Sequence, residues 1–353
     1  KNNTLVIDEN TDVVDDEAIK LIHKRSKIKK GDILFASIGR MGDMYIIEDD
    51  PVGWDINESV FAFTLDTNIV RQKYFYYIFR VKSTLDYLAS NSSGSTFKSI
   101  KMNQLKKMTF DIPPLEKQDQ IVATLDKVCN VIEMRKQELI SLDDLIKARF
   151  VEMFGTLDNP AQKFEKATLK ELCNKITDGK HGGCTSEEGT KRYFVGAREI
   201  YNDEVHYDTA PEINVDEFEK DYKRCNIEIG DFLIVNTGAT IGKSAIASDE
   251  RTEHTLLQKS VALLKVKQEL LNPMFLKWCY RVNTRMYMVE SASAQPNLLL
   301  SKINATEIYV PDMKLQNQFA DFVHQVNKSK VAVQKALDET QLLFNSLMQE
   351  YFG

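Results

Sequence analysis

The chain has 353 residues, 43% of them hydrophobic and 28% charged, enough for two or three domains with apolar cores. No run of about 18 apolar residues is present, which excludes a membrane-spanning helix. A formal net charge of -6 argues against a non-specific polyanion binder but leaves room for locally clustered cations.

The start, Lys1-Asn2-Asn3 before an acidic polar stretch, lacks the features of a signal peptide. Between Glu17 and Asp32 lie Lys20, Lys24, Arg25, Lys27, Lys29 and Lys30 with no acid among them. Residues 33–38 and 60–64 are short apolar runs that read as strands. Residues 73–88 read as a helix, whose aromatics Tyr74, Phe75, Tyr76, Tyr77 and Phe79 fit a buried face better than a base-stacking platform. Lys98, Lys101, Lys106 and Lys107 form a second acid-free run.

Pro113-Pro114 then opens a long helix. Its apolar residues Ile121, Leu125, Val128, Ile132, Leu139, Leu142, Ile146 and Met153 follow spacings of four and three, with Arg135 and Arg149 at the skipped positions. After a linker at 156–163, strands are expected at 232–235 and 261–265 and a helix at 273–287. Pro311 opens a second long helix with the seam Phe319, Val323, Val326, Val333, Leu337, Phe344, Leu347 and Tyr351, interrupted by Lys330 and Thr340. Cys129, Cys173, Cys184, Cys225 and Cys279 include no Cys-x-x-Cys pair, so neither a disulfide framework nor a cysteine-rich zinc site is expected, and a reducing cytoplasm is the expected location.

The two halves match in order. Lys24-Arg25 and Ile28-Lys29-Lys30-Gly31-Asp32-Ile33-Leu34 recur as Lys223-Arg224 and Ile227-Glu228-Ile229-Gly230-Asp231-Phe232-Leu233. Gly39-Arg40-Met41-Gly42 matches Gly238-Ala239-Thr240-Ile241-Gly242, Ser59-Val60 matches Ser260-Val261, and Arg80-Val81 matches Arg281-Val282. Ile112-Pro113 matches Val310-Pro311, and Phe154-Gly155 matches Phe352-Gly353. A repeat of this length is a tandem domain duplication and not a solenoid. The expected fold is α/β, with two repeated mixed α/β domains at 1–112 and 164–310. Two long helices, 113–155 and 311–353, join and space them as an antiparallel coiled coil, although pairing between chains would also satisfy the seams.

Catalytic motifs are absent. The stretch 238–244 has three residues between its glycines where a phosphate loop needs four, and Asp43 stands where the second copy has Lys243, so a turn is the better reading. His181 and Cys184 are spaced like metal ligands but have no second pair, and no metal is expected. What recurs is positive charge: Lys24, Arg25, Lys27, Lys98 and Lys101 in the first copy, and Lys180, His181, Lys223 and Arg224 in the second. With Thr240 and Lys243 at the turn, these are candidate DNA contacts, while Arg40, Gln295 and Asn297 lie in loops and are the candidate base readers.

Pro113-Pro114-Leu115-Glu116-Lys117-Gln118, Ile121-Val122, Leu125-Asp126, Arg135-Lys136 and Met153-Phe154-Gly155 resemble the central helical region of specificity subunits of type I restriction–modification systems. Pro311 to Gln318 is a weaker copy, and Ile176-Thr177-Asp178-Gly179-Lys180-His181 is similar to the opening of a target recognition domain in that family. The resemblance implies that each domain reads one half of a bipartite, asymmetric double-stranded DNA site and that the helices set the gap. It also implies two partner modification subunits that bind S-adenosylmethionine and methylate adenine, restriction subunits using ATP and Mg, and no cofactor or catalytic residue in this chain. The repeat aligns Lys1 with about residue 200, so the first domain is expected to lack roughly 35 N-terminal residues. A coiled-coil adaptor holding two protein-binding domains is the competing reading, and an autonomous methyltransferase is disfavoured by the missing cofactor motifs.

Overall fold

Apolar runs bounded by turns become the strands, and two long stretches free of glycine and proline become the helices, in a computed structural model that describes residues 5–9, 11–94, 97–288 and 297–353. The chain divides into two compact units, Lys1–Gln137 with Val333–Gly353, and Glu138–Ala332.

In the first unit, α1 (Asp16–Ser26) starts where the Asp15 carboxylate accepts the Ala18 N–H at 2.8 Å, and it stops at Lys27, whose φ is 51°. Strand β1 (Ile33–Ala36) pairs antiparallel with β2 (Met44–Ile46) and β3 (Val60–Phe63) in the order β2-β1-β3. Successive side chains of β1 take opposite faces. Ile33 and Phe35 enter the main core, while Leu34 packs with Ile28 and Ile47. The helix expected at 73–88 is two helices, α2 (Gln72–Ile78) and α3 (Lys82–Ser90). The break lets Phe79 and an extended Val81 both turn into the core. Tyr74, Tyr77 and Phe79 are buried there too, as a core face and not a stacking platform. A short α4 (Met102–Leu105) precedes α5 (Leu115–Phe154), whose Ile121 and Leu125 share this core with Met348.

The second unit runs through β4 (Glu165–Thr168), α6 (Leu169–Leu172), β5 (Cys173–Asp178), β6 (Tyr193–Val195), β7 (Ile200–Tyr201), β8 (Glu204–Val205) and α7 (Val215–Asp221). It continues with β9 (Phe232–Val235), β10 (Ser244–Ile246), β11 (Thr255–Leu257), β12 (Val261–Val266), α8 (Pro273–Val282), α9 (Leu300–Ala305), β13 (Glu307–Val310) and the start of α10 (Met313–Phe352). Its central antiparallel sheet has the order β10-β9-β12-β5. Phe232, Ile234, Ala262 and Leu264 pack on α8 and on Phe150, Phe154 and Phe319 of the long helices. Leu233, Val235 and Leu263 face the other way, onto Val195, Ile200 and Ile227. Burial on both faces explains the uninterrupted apolar run of β9. The helix expected at 273–287 ends at Val282, followed by a 3-10 turn at Thr284–Met286.

Each long helix has 40 residues. The seam residues Ile121, Leu125, Val128, Ile132, Leu139, Leu142, Ile146, Phe319, Val323, Val326, Val333, Leu337, Phe344 and Leu347 are all buried or half-buried. Lys330, a charge at a seam position, is paired with Asp143 at 2.8 Å. A buried glutamine ties each helix start to its domain. Gln118 accepts the Arg71 N–H and donates to the Ile69 and Pro113 carbonyls. Gln316 does the same with Asn272, Leu270 and Pro311.

Candidate nucleic-acid interface

One end of the four-stranded sheet gathers most of the candidate residues of the second unit. Strand β5 ends at Asp178, β12 begins at Val261, and the turn between β9 and β10 lies at the same end, because Asp178 pairs with Ala262 and Val261 with Val235. The Lys180 N–H donates to the Leu257 carbonyl at 2.7 Å, the Lys259 N–H to the Lys180 carbonyl at 2.9 Å and the Asn236 N–H to the Ser260 carbonyl at 3.0 Å. Gly179 has to be glycine here, since a Cβ would overlap the Leu257 carbonyl. Residues 238–242 form the β9–β10 turn, with Gly238 and Gly242 at φ 92° and 94°. Thr240 is half-buried in this turn and Lys243 is exposed beside it. Asn297 bridges to Thr237, and the Leu298 N–H donates to the Asn236 carbonyl at 2.7 Å, so an exposed Asn297 stands against that turn. Gln295 lies outside the described residues.

Charge in this patch is partly spent internally. Lys180 is 17% exposed and lies 2.8 Å from Asp221 and 3.3 Å from Glu217. The hydrogen bond it donates to Asp221 holds its ammonium above the usual value against the opposing effect of burial, with the bond to Glu217 adding to it. The Arg224 guanidinium donates to the Asp178 and Gly179 carbonyls at 3.0 and 2.9 Å and meets the Asp178 carboxylate at 2.5 Å. His181, largely exposed, lies 3.4 Å from Asp178. Lys223 is exposed on the 3-10 turn after α7. Lys259, exposed beside Lys180, was not among the sequence candidates; its adjacency to the repeated Ser260-Val261 pair was the available signal. Among the described residues no group of three or more His, Cys, Asp or Glu side chains is arranged to hold a metal ion.

Glu217 organises the 180–185 loop. Its carboxylate accepts the Thr185 hydroxyl at 2.7 Å, and this bond, with Lys180 and the Thr185 N–H, pulls its pKa down from 4.5 to about 2. A depressed carboxylate stabilises the fold above its ordinary pKa, and that contribution is lost as pH falls toward about 2. The Glu217 carboxyl carbon is therefore expected to titrate near pH 2 by NMR, with the 180–185 amides shifting alongside it. A midpoint at its ordinary 4.5 would contradict the assignment.

The first unit repeats the frame. Its β1–β2 turn carries Gly39 and Gly42 at φ 74° and 99°. Ile38 bridges to Ser99, the Ile100 N–H donates to the Ser37 carbonyl at 3.0 Å and the Ser37 N–H to the Ser59 carbonyl at 2.8 Å. These are the counterparts of the Thr237, Leu298 and Asn236 contacts. Arg40 in the turn is thereby brought beside Lys98, whose carbonyl accepts the Gly39 N–H at 3.3 Å, with Lys101 close by in sequence. All three side chains are exposed. Lys24 and Arg25, in the last turn of α1, and Lys27 after it are exposed on a different element, which docks through His23 and Ser26 on Asp55.

A family model described as the type I restriction modification DNA specificity domain matches residues 12–143 and 161–340. The chain is similar to the type I restriction enzyme MjaIX specificity subunit of Methanocaldococcus jannaschii, at 30% identity over 110 residues, 31% of this chain and 25% of that protein. The match thus spans about a quarter of that relative's length. Among solved structures, the S subunit of the type I restriction–modification system of M. genitalium shares the fold at 18% identity, with a TM-score of 0.53 over 92% of this chain and 83% of that one. A chain from a type I system solved to explain complex assembly and conformational transition gives 17% identity and a TM-score of 0.59, over 92% of this chain and 82% of that one. Since the family model accounts for most of the chain, the protein belongs to the type I restriction–modification DNA specificity domain family.

Proposed function

We propose that the chain is the non-catalytic, sequence-reading subunit of a type I restriction–modification complex. Domains 1–112 and 164–310 each read one half of a bipartite, asymmetric site on double-stranded DNA. The observation that carries this reading is the repeated surface: in both units a glycine turn at one sheet end is braced by a second loop, with Arg40, Lys98 and Lys101 on one and Lys243 and Asn297 on the other. Helices 113–155 and 311–353 pair antiparallel and set the gap between the halves. In support, Phe150 near the end of α5 meets Phe319 near the start of α10 at 5.3 Å, and Ile121 and Leu125 near the start of α5 share a core with Met348 near the end of α10. Two modification subunits carrying S-adenosylmethionine dock on this scaffold, restriction subunits bring ATP and Mg, and this chain holds no cofactor of its own. No described helix is long and apolar enough to cross a membrane.

The test is a methylome. The chain would be expressed with its modification subunit in an unmethylated host and N6-methyladenine mapped by single-molecule sequencing. A bipartite motif with a fixed gap is expected, and an insertion of one helical turn between Leu125 and Ile146 should change the gap while leaving both half-sites unchanged. A soluble complex that leaves no motif would favour the adaptor reading instead.

Two residue-level outcomes follow from the exposed positions. Replacing Lys24 and Arg25 together by alanine should weaken the assembled complex on all duplexes about equally and shallow the log–log salt slope by about 2, the loss of two phosphate contacts. Confinement of the effect to one base position, read by anisotropy on single-base variants, would contradict it. Asn297→Ala should instead relax the half-site read by the second domain, at roughly 1–3 kcal/mol for a lost bidentate base contact. An unchanged methylation motif would remove Asn297 from the base readers.

A further inference from the structure

In the second unit a further turn reaches the sheet end that carries the cations. Strand β6 runs parallel to β11 with Val195 opposite Leu257, and the Gln258 N–H donates to the Val195 carbonyl at 2.8 Å. Residues 196–199 then turn back. The Gly196 N–H donates to the buried Glu199 carboxylate at 2.8 Å, and the Glu199 N–H to the Gly196 carbonyl at 3.3 Å. The Ala197 N–H donates to Ser260 Oγ at 3.1 Å, which ties this turn to the one between β11 and β12. Arg198 stands exposed on the turn so fixed.

Across the junction the half-buried Gln258 side chain lies over Gly196. A Cβ at 196 would come within 2.3 Å of Gln258 Oε1 and 2.5 Å of its Cδ. The φ of Gly196 is not positive, so the glycine supplies room for the carboxamide and not a backbone conformation. Glutamine and arginine are the side chains that meet adenine and guanine, respectively, through paired hydrogen bonds in the major groove. Among the described residues neither Gln258 nor Arg198 spends its side chain on a hydrogen bond or ion pair within the protein. Lys180 and Arg224 beside them are held by Glu217, Asp221 and Asp178. The repeat places Asn57 where the second unit has Gln258, and that carboxamide is turned to its own main chain, accepting the Ser59 N–H at 3.0 Å.

We propose that Gln258 and Arg198 read an adenine and a guanine in the half-site of the second domain, with Gly196 positioning the glutamine. The inference rests on the DNA reading proposed above and assigns two of its base contacts.

The test uses the full chain assembled with its modification subunit, and the methylation motif of the unaltered complex is mapped first. No motif at that stage overturns DNA reading itself and this inference with it; a motif that the variants leave unchanged overturns this inference alone. Gln258→Glu keeps the size of the side chain but can only accept, and should change the base read from adenine to cytosine. Gly196→Ala pushes the carboxamide aside and should relax that same position. Arg198→Ala, a truncation on an exposed turn, should relax a guanine position in the same half-site. Anisotropy on duplexes with single-base changes should show discrimination falling roughly 5- to 150-fold at these positions. Replacing the two purines by their 7-deaza analogues removes the N7 acceptor, alters only the DNA, and should weaken the unaltered complex, so a variant that assembles poorly does not remove the readout. Equal weakening on every duplex, full binding to the 7-deaza duplexes, effects divided between both half-sites, or a half-site without adenine and guanine would overturn the proposal.

Discussion

Gln316→Leu is expected to destabilise the second unit by about 3–5 kcal/mol, although leucine matches the glutamine in size and is more apolar. The side chain is fully buried, and its amide serves three main-chain groups: the Asn272 N–H at 2.8 Å and the Leu270 and Pro311 carbonyls at 3.1 and 2.7 Å. Leucine leaves all three without a partner in a site closed to water, at a cost of about 1–3 kcal/mol each, against which the apolar gain is small. Gln316→Glu is a sharper probe, because it keeps the acceptor but turns the donor into a second oxygen facing two carbonyls. The glutamate variant should therefore lose stability progressively as pH rises above the ordinary glutamate value of about 4.3, and recover on acidification, while the leucine variant shows no such dependence. Urea unfolding of the three proteins measures this. A loss under 1 kcal/mol for Gln316→Leu would show that the glutamine does not anchor the helix. Gln118 makes the same three contacts in the first unit, so Gln118→Leu should produce a similar loss there.

Phe150→Ala is expected to cost about 3–5 kcal/mol, the range for truncating a buried aromatic that leaves a cavity. The ring is fully buried and touches four elements' worth of core: Phe154 at 4.9 Å along its own helix, Phe275 of α8 at 5.5 Å and Phe319 of α10 at 5.3 Å, over the sheet residues of the same cluster. Aromatics on three helices meet at this one ring, so no single neighbour can collapse to fill its place. Ile140→Ala on the same helix is the control. Its side chain is 55% exposed, and its removal should change stability by less than about 1 kcal/mol. Similar losses for the two variants in denaturant unfolding would mean that the helix is held by its own propensity and not by this cluster.

Periodicity carries far along the two long helices because an amphipathic stripe of 3.5-residue spacing admits only one buried face. Every residue assigned to that stripe is at least half-buried. The strands at 33–36, 60–63, 232–235 and 261–266 were equally legible, being β-rich apolar runs closed by turns. The helix at 73–88 was not, because the break at 79–81 has no glycine or proline to mark it. It arises from where Phe79 and Val81 must go, which is a property of the core and not of local propensity.

The surface residues show the same division. Sequence placed Lys180 and Arg224 among the cations, but their partners, Glu217 and Asp221 for the one and Asp178 for the other, come from up to 46 positions away. The stripe likewise marked Lys330 as an interruption, while its neutralising Asp143 lies 187 residues distant. What the amino-acid order determined by itself was the duplication, the helices, the strands and the types of residue offered at each turn, since these follow from local periodicity and from comparing the chain with itself. Which cations remain exposed, which turn is braced by which loop, and that a buried glutamine locks each long helix to its domain were decided only by tertiary packing. Each depends on a hydrogen bond or ion pair between groups that local sequence does not bring together.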